Sequence, residues 1–175
     1  MIYNFDEIID RSGNHSAKYD ERMKKFGTND VIPLWIADMK KKYDTFWTNM
    51  DVHRNNAFSL TAMEAAFTHG EEWLEQLLPY ISANFDYVVD YLNKNIPQIK
   101  TYAPDATYLM WLDCRQLGMD DEALNRFFIE KAKLGLNAGN SFGRQLSGFM
   151  RLNAACPRSV LETAMAQLKA AVDAL

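Results

Sequence analysis

Apolar residues fall along this chain in two spacings. Between Glu71 and Asn95 they recur at intervals of three and four: Trp73, Leu74, Leu77, Leu78, Ile81, Phe85, Val88, Val89 and Leu92, with Ile96 just beyond. That stripe predicts one long amphipathic helix. Pro79 predicts a kink or a new start one turn in, and Pro97 the end. Three further helices follow from the same spacing. One runs from Leu60 to His69, with Ser59 or Thr61 as cap and Gly70 as stop. A second covers Asp120 to Leu134 on Leu124, Phe127, Phe128 and Ala132, capped by Asp120. The last runs from Ser159 to Leu175 on Val160, Leu161, Ala164, Leu168 and Val172. Ser16 to Phe26 predicts one short helix stopped by Gly27, and Tyr43 to Met50 a turn or two with Tyr43, Phe46, Trp47 and Met50 on one face.

Elsewhere the apolar runs are short and bounded by turn residues, as in strands. Ile99–Tyr102 and Thr107–Leu112 are joined at Ala103-Pro104-Asp105. Gly135-Leu136-Asn137 is a short strand, Phe149 to Ala155 a longer one, and Val31 to Met39 an extended arm. Helices and strands in this order predict an α+β domain: a three- to four-stranded antiparallel or mixed sheet packed against helices, with the long helix as principal packing partner.

The chemistry of interest lies in Gly139 to Ser159, GNSFGRQLSGFMRLNAACPRS. A loop with Gly139, Gly143 and Gly148 enters a strand containing one charged residue, Arg151. Met150 and Leu152 flank it, so it points to the opposite face from both. If that face is covered, the guanidinium needs an anionic partner, and a carboxylate taking two parallel hydrogen bonds is the natural match. If the face is open, Arg151 is a solvated residue on a half-exposed strand. The pattern alone leaves both readings standing.

Three stretches resemble the MalY/PatB-type cystathionine β-lyases and their aminotransferase relatives, which are fold-type I pyridoxal-phosphate (PLP) enzymes. Gly148-Phe149-Met150-Arg151-Leu152-Asn153 is similar to the family's Gly-Phe-(Met/Ile)-Arg-Leu-Asn run. Pro33-Leu34-Trp35-Ile36-Ala37-Asp38-Met39 resembles its N-terminal motif, and Thr107-Tyr108-Leu109-Met110-Trp111-Leu112-Asp113 its Thr-Tyr-Leu-x-Trp-x-Asp strand. The resemblance implies the fold of the family's small domain, with Arg151 gripping a substrate α-carboxylate and Asn153 and Ser141 close by. For Asn153 the competing reading, satisfaction of backbone groups in the sheet, is preferred. The resemblance also implies that Trp35, Ile36, Ala37 and Asp38 wall the cleft, with Asp38 equally readable as a turn or helix cap.

The resemblance breaks at Lys40-Lys41-Lys42 and resumes near His53-Arg54-Asn55-Asn56. The simplest description is an internal deletion, engineered or natural. Residues 1–39 are then an arm, 40–52 a bridge standing where the family carries its large domain, and 53–175 the small domain, the whole forming a single unit. The family's coenzyme-bearing lysine, its pyridine-nitrogen aspartate and its ring-stacking aromatic have no matching motif. No PLP is therefore expected on this chain, and the expectation leans against catalysis by the chain alone. The alternatives are an enzyme completed by a large domain in trans, and a weak binder of amino-acid carboxylates.

Composition narrows the rest. The chain has 175 residues, 48% hydrophobic and 24% charged, with net charge −4 and scattered lysines, so no nucleic-acid footprint and no membrane span is expected. His15, His53 and His69 lack ligand spacing, and Cys114 and Cys156 lack metal spacing; no metal site is expected. The cysteines read as reduced, partly buried thiols of a cytoplasmic protein. Asp113 has Arg115 as its nearest pairing partner. A homodimer remains open as a partner, as does the large domain in trans.

Overall fold

The computed structural model describes residues 4, 6, 17–34 and 57–175. Six α-helices lie in these residues: α1 (Ala17–Asp20), α2 (Arg22–Phe26), α3 (Ala57–His69), α4 (Glu71–Asn95), α5 (Asp121–Arg126) and α6 (Arg158–Asp173). The strands are β1 (Ile32–Pro33), β2 (Leu109–Asp113), β3 (Leu134–Gly135), β4 (Asn137–Ala138) and β5 (Phe149–Asn153). The fold is α+β. Its main sheet is antiparallel with order β2-β5-β4, and a two-stranded parallel sheet pairs β1 with β3.

β5 is central because both neighbours bond to it. Its pattern puts Met150 and Leu152 wholly inside, with Arg151 between them on the other face. Met110 and Leu112 of β2 are equally buried, so one face of the sheet is apolar. Against it pack Ile81, Phe85, Val88 and Leu92 of α4 and Leu161, Ala164, Met165 and Leu168 of α6. Each fully buried aliphatic side chain contributes about 1.5–3 kcal/mol to this core.

Several elements depart from the predicted ones. Helix α4 runs unbroken through Pro79. Pro79 and Glu75 are both exposed, so the Glu75 carbonyl, which loses its partner four residues on, faces water. The predicted strand Ile99–Tyr102 is reduced to one pair, Lys100 with Asp113. Ile99 N–H instead turns back to Ile96 O (3.0 Å), and the Thr101 hydroxyl donates to Trp111 O (2.8 Å), so a side chain replaces the next ladder bond. The helix from Asp120 widens after Arg126 into a π-helical turn, Phe127–Lys131, closed by Ala132 N–H to Phe127 O at 3.0 Å. The wider turn lets three successive residues, Phe127, Phe128 and Ile129, all face inward. The stretch from Ser16 to Phe26 is divided at Glu21, and Gly27, at φ 72°, ends it. Ala57 already lies in helix α3, so Ser59 is inside it rather than at its cap. Lys18, in α1, is buried at 7% exposure.

Candidate functional site

The arginine predicted as a carboxylate grip sits in the middle of β5, opposite Trp111 of β2 and Asn137 of β4. Its guanidinium carbon lies 4.4 Å from the centre of the Phe142 ring. That ring meets Trp111 edge-on at 5.4 Å between centroids. Arg151 is therefore half-buried, with one guanidinium face held against an aromatic pair. Its Nε is fully buried and has no hydrogen-bond partner among the described residues. Burial pulls the guanidinium below its ordinary value, opposed by the Tyr108 hydroxyl. The group stays charged at any physiological pH, so the shift records solvation that the protein has removed and not replaced.

The glycine loop that carries Phe142 is built to bond itself. Gly143 N–H donates to Asn140 O, Leu146 N–H to Gly143 O and Ser147 N–H to Arg144 O. Asp121, in the first turn of α5, ties the far end: its carboxylate accepts from Gly148 N–H (2.9 Å) and the Ser147 hydroxyl (3.0 Å). Gly139 is the tight point, since a Cβ there would lie 2.3 Å from Leu146 O and 2.7 Å from Phe149 O. Backbone cannot yield to that, so only glycine lets the loop close over β5.

Asn153 is 2% exposed, and its side-chain oxygen accepts from Ala155 N–H (2.9 Å), turning the chain out of the strand. Its own N–H donates to Leu34 O at 3.3 Å. Leu34 also donates to Gly135 O, so the arm is docked beside β3 and delivered to the end of β5, two residues from Arg151. Trp35, Ile36, Ala37 and Asp38, predicted as cleft wall, lie outside the described residues. The Ser141 hydroxyl is engaged with Ala138 O (2.6 Å). Asp113 and Arg115 form a two-point pair (2.9 and 2.7 Å) at the end of β2, with Arg115 4.9 Å from the Phe149 ring centre.

Sequence reading missed Asn84. It is wholly buried on α4 and donates to Ala154 O (2.9 Å) and Cys156 O (3.0 Å), while accepting from Arg158 Nε (2.9 Å). It clamps the turn between β5 and α6. The signal was available: one amide in a helical stripe that is otherwise apolar.

Lys133 pairs with Asp30 and Lys169 with Asp173. Lys24, Lys25, Lys94 and Lys131 are exposed, and buried Lys18 lies within electrostatic reach of Cys156. The amides of Gly143, Leu146 and Ser147 bond within the loop, and that of Gly148 to Asp121. Arg151 Nε is a buried cationic donor without a partner among the described residues, and such a donor suits an oxyanion.

Comparison with known proteins bears on this arrangement. No family model matches the chain. It is 39% identical over 118 residues to cystathionine β-lyase PatB of Bacillus subtilis, covering 67% of this chain and 30% of that protein. It is 41% identical over 120 residues to protein MalY of Escherichia coli, covering 69% and 31%. This chain is a homologue of the MalY/PatB cystathionine β-lyases. Cystalysin from Treponema denticola, whose crystal structure contains pyridoxal 5′-phosphate, superposes with a TM-score of 0.68 at 30% identity over 78% of this chain and 36% of its own. The chain thus spans about a third of the length of these relatives, the share expected of the small domain of a fold-type I PLP enzyme.

Proposed function

We propose that this chain is a carboxylate-recognising small domain that performs no PLP chemistry by itself. The observation that supports this most is the buried, unpartnered Nε of Arg151. A buried guanidinium donor left open costs free energy. A carboxylate that accepted from Nε and a neighbouring Nη would remove that cost by a two-point, charge-assisted bond. The expected ligands are amino-acid α-carboxylates, bound weakly, since one side chain supplies the grip. The coenzyme part of the proposal is tested by incubating the chain with PLP, reducing with borohydride and mapping modified peptides. The reading expects no single lysine to be labelled above the level of a denatured control. Stoichiometric labelling of one lysine would overturn it.

A second reading is supported by the chain's spanning only a third of its relatives: an enzyme completed by a large domain on another chain. Adding such a domain to this chain and assaying pyruvate release from L-cystathionine separates the two. Turnover that requires both chains supports the second, and none supports the first.

A further inference from the structure

Helix α3 carries an apolar stripe that no other described element covers. By helical spacing Leu60, Met63 and Phe67 share one face, and Leu74 continues it into α4. Phe67 is 88% exposed, Leu60 and Met63 are each more than half exposed, and Leu74 nearly so. Gly70 joins the two helices: its N–H donates to Ala66 O and its carbonyl accepts from Leu74 N–H. Glu64 and Glu71 stand four places after Leu60 and Phe67, and Glu75 four after Glu71, so three exposed carboxylates border the stripe. No Lys or Arg lies between Ala57 and Tyr80. A helix of 13 residues with no packed face is marginal in water, so this one calls for a cover.

We propose that this face is the docking surface for the chain's own bridge, with residues 43–50 on the apolar stripe and Lys40, Lys41 and Lys42 on the acids beyond it. Three observations favour that occupant. The first is where the bridge is tied. Residues 35–56 connect Leu34 to Ala57, the first residue of α3. Leu34 O accepts from Asn153 N–H, and Asn84 of α4 donates to the next carbonyl, Ala154 O, so the other end is held level with the middle of α4. The six steps from Leu34 to Lys40 reach about 20 Å. The helix rises only about 14 Å from Asn84 back to Glu75. The second is register. Six residues separate Met50 from Ala57, a usual length for a connection between antiparallel helices. The spacing of Tyr43, Phe46, Trp47 and Met50 predicts two helical turns with one apolar side. Tyr43 to Met50 is seven steps, and so is Leu60 to Phe67. The third is charge. Laid antiparallel with Met50 beside Leu60, the bridge brings its three lysines past Phe67, level with Glu71 and Glu75. A basic run thereby meets an acidic one in a stretch that has no cation of its own.

Hydrogen exchange of the full chain, read by peptide mass spectrometry, tests this. The amides of α3 are expected to exchange about tenfold or more slower in wild-type protein than in a variant carrying Phe46→Ser and Trp47→Ser, while those of β5 exchange alike in both. The difference should be the same over about a hundredfold range of protein concentration, because the cover belongs to the same chain. Replacing Lys40, Lys41 and Lys42 by Glu should give part of the same loss at low salt and little of it at high salt, where the charges are screened. Equal α3 exchange in wild type and the Phe46→Ser, Trp47→Ser variant would overturn the proposal. So would protection that grows with concentration, which assigns the face to a second copy, or that appears only when a large domain is added. If the double variant loses β5 protection as well, carbodiimide coupling of wild-type protein decides in its place. Lys40, Lys41 or Lys42 joined within one chain to Glu64, Glu71, Glu72 or Glu75 supports the proposal; links to other acids alone, or none, overturn it.

Discussion

The Phe142 ring lies 4.4 Å from the guanidinium carbon of Arg151 and holds one of its faces, while Arg151 Nε stays buried without a partner. The ring does not satisfy the charge; it orients the guanidinium that the proposed function assigns to carboxylate binding. Phe142 is itself 44% exposed, so little of the core rests on it. Phe142→Ala is expected to weaken carboxylate binding by about threefold to tenfold, the range of a partly desolvated cation–π contact. The unfolding midpoint should hardly move. Phe142→Tyr should restore most of the affinity, and calorimetric titration of the three proteins reads the difference.

Asn84 joins α4 to the turn after β5 through three hydrogen bonds. Asn84→Ala leaves the Cys156 carbonyl without its bond, takes one of two bonds from the Ala154 carbonyl, which keeps Cys156 N–H, and removes the acceptor of Arg158. A loss of about 2–4 kcal/mol is expected, because orphaned buried polar groups keep their desolvation penalty. Urea unfolding followed by circular dichroism measures it, and a loss below about 1 kcal/mol would show that water replaces the clamp.

Asp121 should make stability depend on acid pH. The hydrogen bond from Gly148 N–H, helped by those from the Ser147 and Asn140 side chains, holds its carboxyl below the usual carboxylate range; the opposing effect of burial is second only to the Gly148 bond. Asp113 is lowered in the same way, chiefly by its hydrogen bonds from Arg115. A folded-state value below the unfolded one gives stability that is complete above about pH 4 and is lost as pH falls through the folded value. The unfolding midpoint should therefore drop steadily below about pH 4, and Asp121→Asn should make that drop shallower. Both groups are near the surface, so added salt should shrink the Asp113 contribution.

Cys156 should be a slow thiol. Burial pushes it up to about 11, partly offset by the charge of Lys18. Near pH 8 its thiolate fraction is then about two orders of magnitude below that of a free cysteine. A timed iodoacetamide pulse read by peptide mass spectrometry should show that deficit in native protein and its disappearance in urea. Lys18→Met should slow the reaction further. Cys114, buried and pushed up by burial, should react only on unfolding.

What the sequence showed and what it hid divide by range. Arg151 was legible because Met150 and Leu152 alternate with it, and a two-residue period needs no tertiary information. The ends of helix α4 were legible from its three-and-four spacing, equally local, though the break expected at Pro79 is absent; Asp120 was recognisable as a cap, its side chain accepting from Ala123 N–H at 2.8 Å. The bonds that build the site join distant positions: Asn84 to Ala154 across 70 residues, Asp121 to Gly148 across 27. No local pattern encodes such a pairing. The Phe142–Arg151 stack depends on how the Gly139 loop closes, which backbone approach decides. The strand at Ile99 failed because a threonine hydroxyl took the place of a ladder bond, a substitution that strand propensity cannot register.

The state of Arg151 can be watched directly through its Nε–H resonance in a heteronuclear NMR titration. Adding L-alanine, whose α-carboxylate is the expected ligand, should move that resonance saturably, while L-alaninamide, which lacks the carboxylate, should leave it in place. A resonance unmoved by L-alanine, or moved equally by both compounds, would contradict the claim that this arginine is held open for a carboxylate.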